Sequence, residues 1–256
     1  MVYHSSGDIR LKTISFPFDD GTNPTYYIPV SSDDLLNESA VTGETVSDAL
    51  EYLENAMQDL VYEAVKIDTL TVTPANAEMG STVTSVAVAY ALNKIPATLT
   101  LDGDSISPVE TGTVNLSGLS LTANKTYTMV ATDNGSPSHS PATATKSVTL
   151  SFLNSVYYGA AVDPGTVDSA FLIGLSNAVL TNTRARTITV NAGVNQYIWY
   201  AVPTRLGSCT FKVSGFEGGF QRVSTFSHTN ASGYIENYYV YKSDNANLGS
   251  TTVTVS

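Results

Sequence analysis

The apolar residues of this chain repeat with two different periods, and the change between them falls near residue 67. From Thr45 onward, apolar side chains recur in an uninterrupted alternation of four and three residues, at Val46, Leu50, Leu53, Met57, Leu60, Ala64 and Ile67. This is the heptad spacing of a helix that buries one stripe against partner helices. After residue 67 apolar and polar residues alternate, as in β-strands. The pattern therefore predicts one helix over 45–67 and a mainly β remainder.

The predicted helix has a start signal and a wide apolar stripe. Thr45 and Asp48 have the spacing of a capping box. None of the residues at the first core position of each heptad is β-branched, which removes the usual preference for a parallel dimer. Small or apolar residues flank the core positions at Ala49, Ala56 and Val61. The wide stripe favours a trimeric coiled coil; the alternatives are a dimer, or a helix packed against its own chain.

Residues 68–153 show period-two alternation in about seven short runs, which is typical of an immunoglobulin-like β-sandwich. Leu99 and Leu101 lead into Asp102-Gly103, a strong signal for a hairpin. Tyr127 stands near the start of the predicted penultimate strand, the place of a tyrosine corner. We therefore predict a first β-sandwich in this part of the chain.

Residues 154–256 predict a second β-sandwich, which we expect to be jelly-roll-like. The run 197–202 is apolar on both faces, so it is expected to be a central strand. The run 170–180 is compatible with a short helix instead of a strand. Cys209 is expected to be a small core residue.

The first 44 residues are expected to lack a core of their own. Three prolines and the turn-like pair Asn23-Pro24 interrupt any periodic pattern. Aromatic residues of this segment would gain little in solvent, and they include Phe16, Phe18, Tyr26 and Tyr27. We therefore predict an extended arm over 1–44 that attaches to another protein through these side chains.

Charge is distributed unevenly along the chain. Residues 1–67 contain twelve acidic and three basic residues, whereas residues 155–256 contain five and six. A net charge of −11 argues against a nucleic-acid partner, which would require clustered Lys and Arg. The acidic first part suits a basic protein surface, and the alternative is a solvated acidic arm. No apolar run approaches the length of about eighteen residues expected of a membrane span, and the N-terminus does not resemble a secretory signal.

Residues that could support catalysis or metal binding occur singly. The three histidines lie far apart in polar sequence and are expected at the surface: His4, His139 and His228. Four carboxylates could in principle supply a pair for sugar cleavage, but their spacing singles out no pair; they are Asp163, Asp168, Glu217 and Glu236. The run 215–219 is expected to be a turn rather than an anion-binding nest. We therefore expect no enzyme, no cofactor and no metal.

Three stretches resemble structural proteins of tailed phages of gut bacteria. Residues 119–129 (LSLTANKTYTM) and 151–159 (SFLNSVYYG) resemble a recurring module of such proteins, and residues 45–54 (TVSDALEYLE) resemble the coiled-coil openings of phage fibres. The resemblance covers roughly half of the chain, and its motifs are structural rather than catalytic. It implies a homotrimeric virion fibre, assembled in the host cytoplasm, released by lysis, and mounted by its N-terminus on the capsid or the tail. The short arm favours the capsid, as in a head fibre.

A fibre mounted in this way would present its last domain to the host. The strand-like run near the C-terminus contains four tyrosines that are candidates for binding a host glycan or protein: Tyr234, Tyr238, Tyr239 and Tyr241. The alternative is that they pack a core or a trimer axis. Alternatives for the whole chain are a tail fibre with a receptor-binding role, a bacterial surface adhesin with immunoglobulin-like modules, or a small polysaccharide depolymerase.

Overall fold

The structure, a computed structural model, describes the backbone of residues 46–256 and the side chains from residue 51 onward. The predicted arm, with Phe16, Phe18, Tyr26 and Tyr27, lies outside the described residues. The side chains of Val46 and Leu50 lie outside them as well. The described part is mainly β-structure in several sheets, which confirms the coarse prediction from periodicity.

Helix α1 (Val46–Leu60) begins where the heptad pattern begins and ends earlier than predicted. Ala64 lies in the segment after the helix, and Ile67 is the first residue of the next strand. Ile67 is 9% exposed, pairs with Leu92 across the strands and belongs to the first β core. The prediction that Ile67 packs in a helical core is therefore wrong. A β-branched residue that gains both a strand partner and burial favours the strand.

Residues 67–153 form two sheets that face each other across one core. One sheet has the order β1-β3-β6, and the other has the order β2-β8-β7-β4-β5. Neighbours are antiparallel except β2 and β8, which are parallel. The strands are β1 (Ile67–Thr73), β2 (Asn76–Glu78), β3 (Val83–Leu92), β4 (Thr98–Leu101), β5 (Asp104–Ile106), β6 (Thr111–Leu121), β7 (Lys125–Thr132) and β8 (Thr143–Leu153).

Two local predictions in this sandwich have different outcomes. The hairpin is confirmed, because Asp102 and Gly103 form the turn between β4 and β5 with φ values of 52° and 92°. Tyr127 lies on the penultimate strand and is 2% exposed, as expected of a tyrosine corner. Its hydroxyl, however, has no hydrogen-bond partner among the described residues. Tyr127 is therefore a core residue without the hydrogen bond that defines the corner.

Residues 155–256 form a five-stranded sheet, β10-β9-β12-β16-β15, and a four-stranded sheet, β11-β17-β13-β14. Helix α2 (Ser169–Ile173) precedes β10, so the helical alternative for 170–180 holds only for its first part. A short 3₁₀ turn (Thr204–Leu206) follows β12. The strands are β9 (Ser155–Val162), β10 (Asn177–Leu180), β11 (Arg186–Ala192), β12 (Gln196–Pro203), β13 (Phe211–Val213), β14 (Phe216–Glu217), β15 (Phe220–Thr229), β16 (Ile235–Ser243) and β17 (Gly249–Val255).

The five-stranded sheet is buried on both faces. Its inner face packs against the four-stranded sheet through residues such as Tyr200 and Val253. Its outer face forms a second cluster with Leu172 of α2, in which Trp199 and Tyr238 are each 1% exposed. Strand β12 lies between β9 and β16 and contributes to both clusters, which confirms the prediction of a central strand. The turn between β13 and β14 confirms a turn in 215–219.

The two sandwiches are joined by the single residue Asn154 between β8 and β9, and they belong to one compact unit. Asn230 Nδ2 donates to the carbonyl oxygen of Met79 at 2.8 Å, and Ser232 Oγ donates to Glu78 Oε2 at 2.8 Å. The loop between β15 and β16 therefore holds the end of β2 of the first sandwich. A second unit contains α1 together with the loop 133–142 between β7 and β8.

Candidate functional site: an exposed helical stripe

Helix α1 exposes the apolar residues that the heptad pattern singled out. Met57 is 64% exposed and Leu60 is 59% exposed, although both occupy predicted core positions. Val61, beside them, is 73% exposed, and Leu53 is half-buried. Neither Met57 nor Leu60 belongs to any of the apolar cores in the described part of the chain. The helix therefore has an unpartnered apolar stripe at its C-terminal end.

The opposite face of the same helix is held by the loop 133–142. Asp59 lies about 160° around the helix from Met57, because successive residues turn by about 100°. The Asp59 carboxylate accepts hydrogen bonds from the hydroxyls of Ser136 and Ser138 and from the backbone N–H of Ser138 at 3.0 Å. These donors hold the pKa of Asp59 well below its usual range. We call this set of contacts the Asp59 clasp.

A second group of contacts supports the clasp just beyond the helix. The Tyr62 ring stacks on His139 with 4.6 Å between centroids, and its hydroxyl donates to Asp133 Oδ2 at 3.2 Å. Asp133 is 4% exposed, and its Oδ1 accepts from the backbone N–H of Gly135 at 2.8 Å and of Ala142 at 2.9 Å. Asp133 thereby closes the loop on itself. The loop is ordered by its own hydrogen bonds as well as by the helix.

The clasp shows which face of α1 the described part of the chain contacts. A helix that packed against its own chain through its apolar stripe would bury Met57 and Leu60. Here the intrachain contacts of the described residues engage the polar side of the helix, through Asp59. Met57 and Leu60 stay exposed. Among residues 51–256, then, no apolar core covers this stripe.

Replacing Asp59 with asparagine is expected to loosen the loop 133–142. An amide has one acceptor oxygen where the carboxylate has two, and its bonds to Ser136 and Ser138 lack the charge. We expect faster amide hydrogen exchange at Ser138 and faster proteolysis within the loop. Because the pKa of Asp59 is lowered by folding, the clasp contributes stability at neutral pH and loses it only in strong acid. The matched control is Asp104→Asn on an exposed strand, and equal exchange in both variants would contradict the role of Asp59.

The four tyrosines predicted to meet the host do not form one surface. Tyr238 and Tyr241 are 1% and 5% exposed and lie in the two cores on opposite faces of β16, so the prediction that they contact a partner is wrong. They are buried because the strand is covered on both faces. Tyr239 is half-buried beneath Arg222, whose guanidinium carbon lies 4.8 Å from the ring centre. Tyr234 lies in the loop that meets the first sandwich, beside Gly80.

The candidates for chemistry have structural partners. Asp168 caps α2 by accepting from Phe171 N at 2.8 Å, and Asp163 pairs with Lys242 at 2.6 Å. The other two carboxylates form looser ion pairs, Glu217 with Lys212 and Glu236 with Arg205, each at 3.5 Å. Each of the four carboxylates therefore has its own basic or backbone partner. Within residues 51–256, no group of three His, Cys, Asp or Glu side chains could hold a metal ion.

The histidine and cysteine predictions have separate outcomes. His228 is 1% exposed, so its expected surface position is wrong; it is enclosed by aromatic rings from β9 and β16. His139 lies in the loop that holds α1, and His4 lies outside the described residues. Cys209 is half-buried beside the inner core, and burial raises the pKa of its thiol to about 11. Such a thiol is a poor nucleophile, in keeping with its prediction as a core residue.

Sequence reasoning missed the clasp. The run 133–141 (DNGSPSHSP) carries clear turn signals, and they are the only signal in the sequence that marks this loop. Its partner on the helix is more than seventy residues away, and no spacing rule connects them.

Among the described helices, none has the length and apolar character needed to cross a membrane.

Comparison of the chain with protein-family models, with curated proteins and with solved structures found no match.

Proposed function

We propose that this chain is a non-enzymatic structural subunit of a phage virion fibre, assembled as a homotrimer through α1. One observation carries the proposal: Met57 and Leu60 are exposed while the polar side of the same helix is held by its own chain. A stripe of this kind needs other helices to bury it, and further copies of the chain offer the same stripe. Three helices suit the wide stripe better than two.

The architecture of the rest of the chain supports a structural role. We assign the first sandwich to the immunoglobulin-like class, because β8-β7-β4-β5 follows the order G-F-C-C′ and β1-β3-β6 follows A-B-E. We describe the second as jelly-roll-like, because β11, β12, β13 and β15 alternate between its two sheets. A helix followed by two successive β-domains is an arrangement that suits a fibre subunit. The four carboxylates, each paired with its own partner, offer no support for a depolymerase.

The virion assignment rests on the resemblance of residues 45–54, 119–129 and 151–159 to phage structural proteins. In this proposal the arm 1–44 mounts the fibre on the capsid, and the second sandwich faces outward toward a host glycan or protein. A tail position and a bacterial surface adhesin are the competing assignments. Of the original tyrosine candidates, Tyr239 and Tyr234 are the two that are not fully buried.

The experiment compares the full chain with a truncated chain that starts at Glu44. We expect both to sediment at micromolar concentration as trimers, the full chain at three times its monomer mass of 27.1 kDa. In phage particles, only the full chain should be incorporated, and antibody labelling should mark the capsid. Labelling at the tail would make the chain a tail fibre. A monomeric full chain, or normal incorporation of the truncated chain, would contradict the trimer or the mounting arm respectively.

A further inference from the structure

A buried histidine lies on the outer face of the five-stranded sheet, away from the helix and the clasp. His228, on the edge strand β15, is 1% exposed. Three aromatic rings surround it with centroid distances of 5.1 Å to Tyr157, 4.7 Å to Tyr238 and 6.3 Å to Phe226. All three meet it edge to face. The imidazole is therefore enclosed by apolar carbon on several sides.

The hydrogen bonding of this imidazole is incomplete. Its Nε2 lies 3.2 Å from the hydroxyl oxygen of Tyr157, whereas its Nδ1 has no partner among the described residues. A neutral imidazole needs one donor and one acceptor contact, but an imidazolium must donate from both nitrogens. Protonation would therefore leave a buried N–H without an acceptor and a charge without a counterion. Both are costly in an apolar cluster.

The charged groups around the site do not compensate for such a charge. From β9 the ring faces Tyr157, and from β16 it faces Tyr238, both neutral at ordinary pH. Glu78 acts electrostatically on both tyrosines, and Glu236 and Arg205 act on Tyr238. None of these charges contacts the imidazole. Burial accordingly lowers the pKa of His228 from its usual 6.5.

The histidine is next to the attachment point of α2. The residue after it, Thr229, donates its backbone N–H to Ser169 Oγ at 2.9 Å, and Ser169 is the first residue of the helix. Phe171 of α2 packs edge to face on Trp199 at 4.7 Å. Strand β15 is an edge strand that pairs only with β16, so its end can separate without breaking a second ladder. A charge at His228 would strain the end of β15 and α2 together.

We propose that His228 is an acid-sensitive lock that holds the end of β15 and the α2 layer against the outer face of the sheet. With a neutral imidazole the layer is closed over Trp199. When the proton enters, the buried imidazolium favours conformations in which the end of β15 separates and the ring reaches water. The layer then opens and exposes Trp199. The proposal does not depend on trimerisation or on phage function.

The sign of the pH effect follows from linkage. The unfolded or opened chain binds a proton at His228 near pH 6.5, whereas the closed form binds it at a lower pH. The closed form is therefore fully stable above about pH 6.5 and loses stability as the pH falls below that value. One proton changes the equilibrium constant by at most about tenfold per pH unit.

The test uses the full chain and its single tryptophan, Trp199, as a built-in reporter. Between pH 8 and pH 5 the wild type should show a shift of tryptophan emission to longer wavelength. Amide protection in α2 and at 227–229, corrected for the intrinsic pH dependence of exchange, should fall over the same range. His228→Phe should remove both responses. Its effect on folding is checked by circular dichroism at pH 8. His139→Gln, at a histidine that is 49% exposed, should keep both responses.

Two results would overturn the lock. One is an unchanged emission and unchanged amide protection factors in the wild type down to pH 5. The other is an identical acid response in wild type and His228→Phe. If His228→Phe does not fold, proton NMR of the wild-type His228 imidazole decides instead: its pKa should lie below 6.5, and amide protection in α2 should fall with the same midpoint. The proposal would also be refuted if the pKa of His228 were at its usual value, or if the α2 layer opened at a pH other than that at which His228 is protonated.

Discussion

Replacing Met57 and Leu60 together with aspartate is expected to convert the proposed trimer into monomers at micromolar concentration. Burial of one such side chain contributes about 1.5–3 kcal/mol, and each substitution removes it from three chains at once. Each aspartate would also have to enter the apolar seam as an unpaired charge, which adds a further penalty. Sedimentation equilibrium of the wild type and the double variant measures the change directly.

The matched control for this experiment is Tyr52→Asp. Tyr52 is 61% exposed, close to the 64% of Met57 and the 59% of Leu60, but it lies seven residues before Asp59 and therefore on the Asp59 side of the helix. The Tyr52→Asp variant should leave the proposed trimer intact. Equal dissociation by the control and the double variant would mean that loss of apolar surface in general, rather than the stripe, controls assembly. A trimeric double variant would mean that α1 does not hold the copies together.

Replacing Gly80 with alanine is expected to destabilise the contact between the two sandwiches strongly. Gly80 has φ of +88°, and a Cβ placed there would lie 2.7 Å from the Cβ of Tyr234. The unfavourable backbone conformation costs about 1–2 kcal/mol, and the forced separation adds about 1–3 kcal/mol. The melting temperature should fall on the order of 10 °C, since a unit of this size loses about 2–4 °C for each kcal/mol. Differential scanning calorimetry measures this.

Gly103→Ala separates the cost of the backbone conformation from the cost of the steric contact with Tyr234. Gly103 has φ of +92°, nearly the same conformation, but a Cβ there would meet no atom within 4 Å. The melting temperature of Gly103→Ala should therefore fall only by the conformational part, roughly 4 °C. If both variants melt at the same temperature, Gly80 has no role in the contact. If only Gly80→Ala shows two separate unfolding transitions, the loop at Tyr234 couples the sandwiches.

Periodicity predicted most of the strands because each one has to satisfy its own core. The alternation at Val86, Val88 and Tyr90 predicted one buried face of β3, and these three side chains are 0–6% exposed. The doubly apolar run 197–202 predicted a central strand for the same reason. Such patterns depend only on neighbours along the chain, so the sequence displays them.

The errors lie where contacts from distant residues decide the outcome. Ile67 continued the heptad pattern by spacing, but its partner in β3 makes it a strand residue. His228 stands in polar sequence, and it is buried because tyrosines from β9 and β16 close over it. The Asp59 clasp connects residues that share no pattern at all. Local periodicity contains no information about which strand or loop arrives from far along the chain.

Asn154, the single residue between β8 and β9, leaves little freedom for the two sandwiches to bend relative to each other. A linker of several residues would absorb bending, but one buried residue, 3% exposed, cannot. Bending one sandwich relative to the other would also strain the hydrogen bonds from Asn230 to Met79 and from Ser232 to Glu78. A sideways force on the second sandwich therefore acts on the first through the chain and through these two hydrogen bonds at once.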